Sequence, residues 1–273
     1  MSNIIQLTDT HIVERGVRAY GVVDTASALM KAVSTINRLP EFVGPIDAVI
    51  VTGDLTDFGT EAEYQVFREI TASLKTPLAV LPGNHDRREP LRRAFADLSS
   101  MPEQGPMNWC LSFDDMSIIG LDCLVEGAPH GELTEQTLAW LAETLDRLPD
   151  KPVLVATHHH PFESKIVHMD KQGLRNADQM IDILVQSSRT VSFVCGHVHR
   201  LIATVHRGIP MTIGPSPSHA VALDHRVDGP ANLMLEPGGF LLHSTSSKPG
   251  GLTSIVSEYV PSGVFDGPYP FFG

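Results

Sequence analysis

Seven side chains of this 273-residue chain fall where apolar runs stop: Asp9 and His11 after "NIIQL", Asp54 after "DAVIVTG", Asn84 after "PLAVLPG", His158 after "PVLVAT", and His197 and His199 after "TVSFVCG". All are metal-ligand types. One such residue at a strand end is more often a cap or a turn residue than a ligand, and it is the ordered recurrence at five strand ends that points to a site. In an extended chain residues i and i+2 point the same way, so Asp9 with His11, and His197 with His199, can each present two ligands to one place. So many carboxylate, amide and imidazole groups are too many for one tetrahedral ion and fit two ions that share a bridging carboxylate. Asp54 is the natural bridge. No thiolate belongs to the set, and mixed nitrogen and oxygen ligation suits Fe, Mn, Zn or Co.

The elements that must hold these groups alternate along the chain. Apolar runs that predict buried strands are separated by segments of helical period at 24–39, 61–74, 89–98, 134–148 and 174–187. That order predicts an α/β protein with helices covering strands buried on both faces, and in such sheets function collects at the strand C-terminal ends. From about residue 201 the helical pattern ends, and short strand-like pieces ("LIATVHRG", "PMTIGP", "ANLMLEPGGFLLHST") predict a β-rich C-terminal part. Residues 1–247 are expected to form one catalytic domain, and 248–273, rich in Gly, Pro and aromatics, an irregular tail docked on the body or on a neighbouring subunit.

Composition bounds the function. With 42% hydrophobic and 19% charged residues the chain reads as globular, and no run of about 18 apolar residues predicts a membrane span. The N-terminus lacks a basic and apolar leader pattern, so the cytoplasm is the expected compartment and no membrane partner is expected. Cys110, Cys123 and Cys195 are odd in number and widely spaced, which suggests neither a disulfide framework nor a thiolate metal site. A formal net charge of −12 argues against a nucleic acid polymer as partner, because such binding draws its affinity from Lys and Arg on phosphates.

The set "DTH" (9–11), "GD" (53–54), "GNHD" (83–86), "HH" (158–159) and "GHVH" (196–199) resembles the calcineurin-like binuclear metallophosphoesterases. The segments "RAYGVVDTASAL", "GDLTDFGTEAEYQVFREI", "LPGNHDRREPLRRAF" and "SHAVAL" are similar to its small-phosphodiester branch, which contains class III cyclic-nucleotide phosphodiesterases and bacterial glycerophosphodiesterases. The resemblance implies a four-layer αββα sandwich and two divalent transition-metal ions. One would be held by Asp9, His11, Asp54 and His199, the other by Asp54, Asn84, His158 and His197. It further implies that His85 stands beside the substrate phosphate and that His219, in "PSPSHA", is another site histidine.

One departure concerns the usual two histidines before proline. Here the chain reads "THHHPF", so either His158 or His159 can be the ligand, and an ungapped comparison through "PVLVATHHHPF" favours His158. Arg87 and Arg88 are expected at the surface, and Cys195 and Trp140 in the core. The function so implied is hydrolysis of a small anionic phosphodiester, a 3′,5′-cyclic nucleotide such as cAMP or a glycerophosphodiester, by a hydroxide generated at the metal pair. Of the two, the cyclic nucleotide is the expected class. A nuclease or phosphoprotein phosphatase on the same scaffold, and a non-catalytic metal-binding scaffold, are the alternatives. The aromatic ending "YPFFG" and the relatives' habit point to a homo-oligomer, a dimer or larger.

Overall fold

The computed structural model describes residues 1–246 and 253–272, and its strands alternate between two apolar environments. In β1 (Asn3–Leu7) Ile5 and Leu7 face one cluster and Ile4 another, and β2 (Ala48–Thr52) repeats this with Val49 and Val51 against Ala48 and Ile50. Such strands need a covering layer on each side. On one side the layer is helical: α1 (Thr25–Arg38), the short α2 (Pro40–Val43), α3 (Glu61–Thr71) and α4 (Arg88–Ala94), with β3 (Leu78–Leu81) between the last two. Asp24 caps α1 by accepting from the Ser27 amide, and Thr60 with Glu63 forms a capping box on α3, which fixes where each helix begins.

On the other side of the first sheet lies a second one. β4 (Trp109–Ser112), β5 (Ser117–Gly120), β6 (Val153–Ala156), β7 (Val191–Cys195), β8 (Ile202–His206) and β9 (Ile209–Ile213) form six strands in the order β4-β5-β6-β7-β9-β8. Their outer face is covered by α5 (Glu135–Arg147), α6 (Val167–Asp170) and α7 (Ala177–Gln186). The inner faces meet in a cluster of Ile4, Ile50 and Leu81 from the first sheet with Trp109, Ile118 and Leu154 from the second. The result is the expected four-layer αββα sandwich. A two-stranded piece, β10 (Ala220–Val221) with β11 (Leu233–Met234), precedes β12 (Gly239–Ser246) and β13 (Ser254–Pro261).

The order of the first sheet is β13-β12-β1-β2-β3, with β1, β2 and β3 parallel. β5, β6, β7 and β9 are parallel in the second. Two features depart from expectation. β4 was not foreseen, and the tail expected to be irregular contributes β13, paired along its whole length with β12. No residue of "SIVSEYVP" is fully buried, so it lacks the continuous apolar run that marks the interior strands. Of the tail, 248–252 and Gly273 lie outside the described residues. Gly263 rests on α1, its carbonyl accepting from Arg38 at 2.8 Å, whereas Phe271 and Phe272 are 99% and 93% exposed and touch the body little.

Candidate metal centre

The candidate ligands converge because the loops beyond the strands continue to pair. Asp9 N donates to Gly53 O and His11 N to Asp54 O, each at 3.0 Å, which carries the β1–β2 pairing into the two loops. Gly196 N donates to His158 O at 2.9 Å and does the same for β6 and β7. The two sheets are then tied across the site by Asp9, whose carboxylate accepts the His197 amide at 3.0 Å. Loops this close leave no room for side chains behind them. A Cβ on Gly53 would lie 2.3 Å from the His158 ring, and one on Gly83 2.2 Å from Asp54 Oδ1.

The pointing of these side chains is not that of an extended chain. Asp9, His11, Asp54, His197 and His199 have φ of 53°, 42°, 48°, 72° and 54°. Non-glycine residues in this left-handed region are strained, by about 1–3 kcal/mol each, and persist where the surroundings hold them there. Asp9 and His11 fall in one cluster through this backbone bend and not through the expected alternation of an extended segment, whereas His199 joins that cluster and His197 joins His158 and His159.

Ligand atoms of Asp9, His11, Asp54 and His199 lie within 4.8 Å of one another. His11 Nε2 stands 3.2 Å from His199 Nε2 and 3.4 Å from Asp54 Oδ2, and His199 Nε2 stands 3.4 Å from Asp9 Oδ1. Two donors bonded at about 2.0–2.2 Å to one cation are themselves roughly 3.0–3.5 Å apart, so the spacing is that of a coordination shell.

Next to it, His158 Nε2 lies 3.3 Å from Asp54 Oδ2 and 3.1 Å from Asn84 Oδ1. The same carboxylate oxygen therefore faces a histidine of each group, while Oδ1 is occupied by the His85 amide at 2.9 Å. His158 Nδ1 is 2.8 Å from Thr52 O, which can only accept, so Nδ1 carries hydrogen and Nε2 is the nitrogen turned toward Asp54 and Asn84. The Nε2 of His197 is buried without a partner, and a cation at this place would satisfy it.

His159 offers a ring nitrogen within 4.8 Å of those of His158 and His197, and both its nitrogens also have other neighbours. Its Nδ1 is 3.3 Å from Cys123 Sγ and its Nε2 3.2 Å from Pro129 O. His160 stacks on His197 with ring centroids 5.7 Å apart.

Burial pushes His197 and His199 well below the usual histidine range, helped by neighbouring imidazoles, so both are neutral as ligands must be. Burial would raise the Asp54 carboxyl, but His158 and His85 outweigh it and hold Asp54 well below its ordinary value. For His158 burial works downward, and Asp54 and Asp9 reverse it to about 9. Burial lifts Asp9 to about 6. At neutral pH Asp9 and Asp54 are therefore ionised, with His158 as their positive counterpart.

His85 sits at the rim, half-buried, with Nδ1 donating to Asp57 O at 2.9 Å, which leaves Nε2 for another partner. His219 packs its ring 4.5 Å from His199 and 5.6 Å from His11, and Ser218 Oγ is 2.9 Å from its Nδ1. Two carboxylates given no role from the sequence lie beside these groups. Asp57 Oδ1 receives His11 Nδ1 and Tyr20 Oη, and Asp86 accepts from the amides of Leu55, Thr56 and Gly83 and from Tyr64 Oη. The available signal was their place in the quoted motifs: Asp57 is three residues past Asp54, and Asp86 ends "GNHD". Arg88 is not a free surface arginine, since it pairs with buried Asp122 at 2.7 Å, whereas Cys195 and Trp140 pack in or against the core.

The calcineurin-like phosphoesterase family model matches residues 2–201. Over 98% of its length, and 96% of the relative's, the chain is 39% identical to a protein of Arcobacter nitrofigilis named "Probable glycerophosphodiester phosphodiesterase". It is 38% identical, over 82% of its length and 81% of the relative's, to a "Probable cyclic nucleotide phosphodiesterase" of Rhodopseudomonas palustris. Among solved structures, a dimetal phosphatase from Danio rerio superposes with a TM-score of 0.63 over 96% of this chain and 99% of the other, at 14% identity, which is a likeness of fold.

Proposed function

The chain belongs to the calcineurin-like phosphoesterase family and is a metal-dependent phosphodiesterase, and from that premise we propose that it hydrolyses small phosphodiesters, cyclic nucleotides or glycerophosphodiesters, at the cluster around Asp54. The observation that carries the reading is the single oxygen, Asp54 Oδ2, placed 3.4 Å from His11 Nε2 and 3.3 Å from His158 Nε2. One divalent transition metal is assigned to Asp9, His11, Asp54 and His199, and a second to Asp54, Asn84, His158 and His197, with Fe, Mn, Zn and Co all matching the donors. When bound, such a pair neutralises the phosphoryl oxygens and supplies an activated water.

The chain's own groups do the rest. His11 is kept by Asp57 in the tautomer that turns Nε2 inward, and His158 is kept so by Thr52 O. His85, anchored through Nδ1, holds Nε2 free to pass a proton to the departing ester oxygen, a contribution of about 10²–10⁴-fold. His219, which burial and His11 depress to about 3, is neutral and able to accept or donate one hydrogen bond to the phosphate.

A diester carries one negative charge and two ester oxygens, and the net charge of −12 opposes polymeric nucleic acid. No helix among the described residues is long and apolar enough to cross a membrane, in keeping with a cytoplasmic enzyme. The exposed Val264, Phe265, Tyr269, Phe271 and Phe272 support assembly with a second copy. Light scattering is expected to give at least a dimer, and a monomer at micromolar concentration counts against it. The function is tested by rates of metal-reconstituted enzyme on cyclic AMP, glycerophosphocholine, an aryl phosphodiester and an aryl phosphomonoester. A diester is expected to lead, and a monoester-to-diester ratio of specificity constants above one refutes the reading.

A further inference from the structure

Each of the two proposed metal shells is drawn from both sheets. Asp9, His11 and Asp54 follow β1 and β2 of the first sheet and His199 follows β7 of the second, a division of three to one, whereas Asp54 and Asn84 face His158 and His197 two to two. The separation of the sheets therefore sets the size of both shells. Two of the bonds that cross between the sheets here are made by candidate ligands, the Asp9 carboxylate with the His197 amide and His158 Nδ1 with Thr52 O. A third comes from a residue that is no ligand.

That residue is Gln6 on β1, fully buried and two positions along from Ile4, which packs in the apolar layer between the sheets. Its Nε2 donates to Thr52 Oγ1 at the end of β2 and to Cys195 O at the end of β7, both at 2.9 Å, and its Oε1 accepts from His243 Nε2 on β12 at 3.1 Å. Both amide hydrogens are used and the oxygen is engaged. Each anchor stands two or three positions before a candidate ligand: Gln6 before Asp9, Thr52 before Asp54, Cys195 before His197. The fit is close on the far side as well, since a Cβ on Gly214, whose amide also donates to Cys195 O at 2.8 Å, would stand 3.1 Å from Gln6 Nε2. A methionine would fill a similar volume with no amide to satisfy, so what Gln6 adds is a fixed distance and direction between the two sheets.

We propose that Gln6 is a positioning residue for the metal pair, holding the ends of β1, β2 and β7 at the spacing both shells need before an ion arrives. Ligands ordered in advance bind more tightly because less ordering remains to be done on binding. The proposal rests on the binuclear phosphodiesterase reading above and deepens it. The two sites should depend on the tie unequally: a shell divided three to one keeps most of its ligands together when the sheets drift, and a shell divided two to two does not.

The test starts from enzyme loaded with Mn²⁺ and titrates it with a chelator of known affinity, reading a dissociation constant for each ion. In Gln6→Met affinity is expected to fall by about tenfold or more, the lower end of what changes behind the ligands cost, and by unequal factors at the two sites. Ile50→Val loosens the same layer between the sheets without touching a side-chain hydrogen bond, and is expected to leave both constants near their wild-type values. Where Gln6→Met does not fold, Gly214→Ala decides, because its Cβ presses on the amide without removing it; its affinities are expected to fall in the same direction by a smaller factor. Wild-type constants in the deciding variant, or an equal loss in Ile50→Val, overturn the tie while leaving the phosphodiesterase standing. A wild-type enzyme that holds no divalent ion after reconstitution overturns the binuclear reading itself.

Discussion

Asp57 Oδ1 lies 2.9 Å from Nδ1 of His11, and this contact decides which nitrogen of His11 faces the metal centre. A carboxylate behind a ligating imidazole fixes the ring and raises its basicity, and its loss costs about 10–100-fold in metal affinity. Asp57→Ala is expected to weaken metal binding by that factor in equilibrium dialysis. Asp57→Asn should weaken it less, because the amide oxygen still accepts from Nδ1–H. Wild-type affinity in Asp57→Ala removes the role.

The triple histidine gives a second prediction. His158→Ala is expected to lower the metal content of the purified protein toward half, since Nε2 of that ring is the one 3.3 Å from Asp54 and 3.1 Å from Asn84. His159→Ala should keep its metal and lose only packing beside Cys123. Elemental analysis separates the two, and metal loss with His159→Ala alone reverses the assignment.

Gly53 has φ +96° and would place a Cβ 2.3 Å from the His158 ring. Gly53→Ala is therefore expected to be destabilised by roughly 1–3 kcal/mol from overpacking alone, with added cost from the left-handed backbone. Urea denaturation measures it. Because the clash is with a candidate ligand, metal affinity should fall in the same variant. A normal midpoint together with normal metal content contradicts both.

His243 lies on β12 within the first sheet, between Ser257 Oγ at 2.8 Å and Gln6 Oε1 at 3.1 Å, and burial depresses its pKa from 6.5 to about 3. Gln6 spends its amide nitrogen on Thr52 and Cys195 O, so Oε1 accepts and the neutral ring satisfies both neighbours. The sign follows from linkage: the unfolded chain binds the proton first, so stability is full above pH 6.5 and falls as pH drops toward 3. The slope for this group is about 1.4 kcal/mol per pH unit. Urea titrations at pH 7, 6 and 5 are expected to show a shallower loss in His243→Gln than in the wild type. Equal slopes refute the assignment.

Local pattern alone made much of this protein legible. Continuous apolar runs with Asp, Asn and His at their ends depend only on residues adjacent in sequence, and they sufficed for an α/β class and for naming seven candidate ligands with Asp54 as the natural bridge, while the four-layer αββα order was what the family resemblance implied. The choice between His158 and His159 was not so decided, because adjacent residues of one loop are separated only by what each ring meets, Thr52 and Asn84 for one and Cys123 and Pro129 for the other. Nor did spacing reveal the left-handed turns at Asp9, His11, Asp54, His197 and His199, since such conformations are imposed on non-glycine residues by contacts such as Asp9 with the His197 amide, 188 positions away. β13 belongs to the first sheet for a similar reason: its only strand partner among the described residues is β12, which in turn pairs with β1 from the other end of the chain. What the sequence determined was therefore which groups are present and at which strand ends, and what the tertiary structure decided was the direction each one points, because direction is set by neighbours distant in the chain.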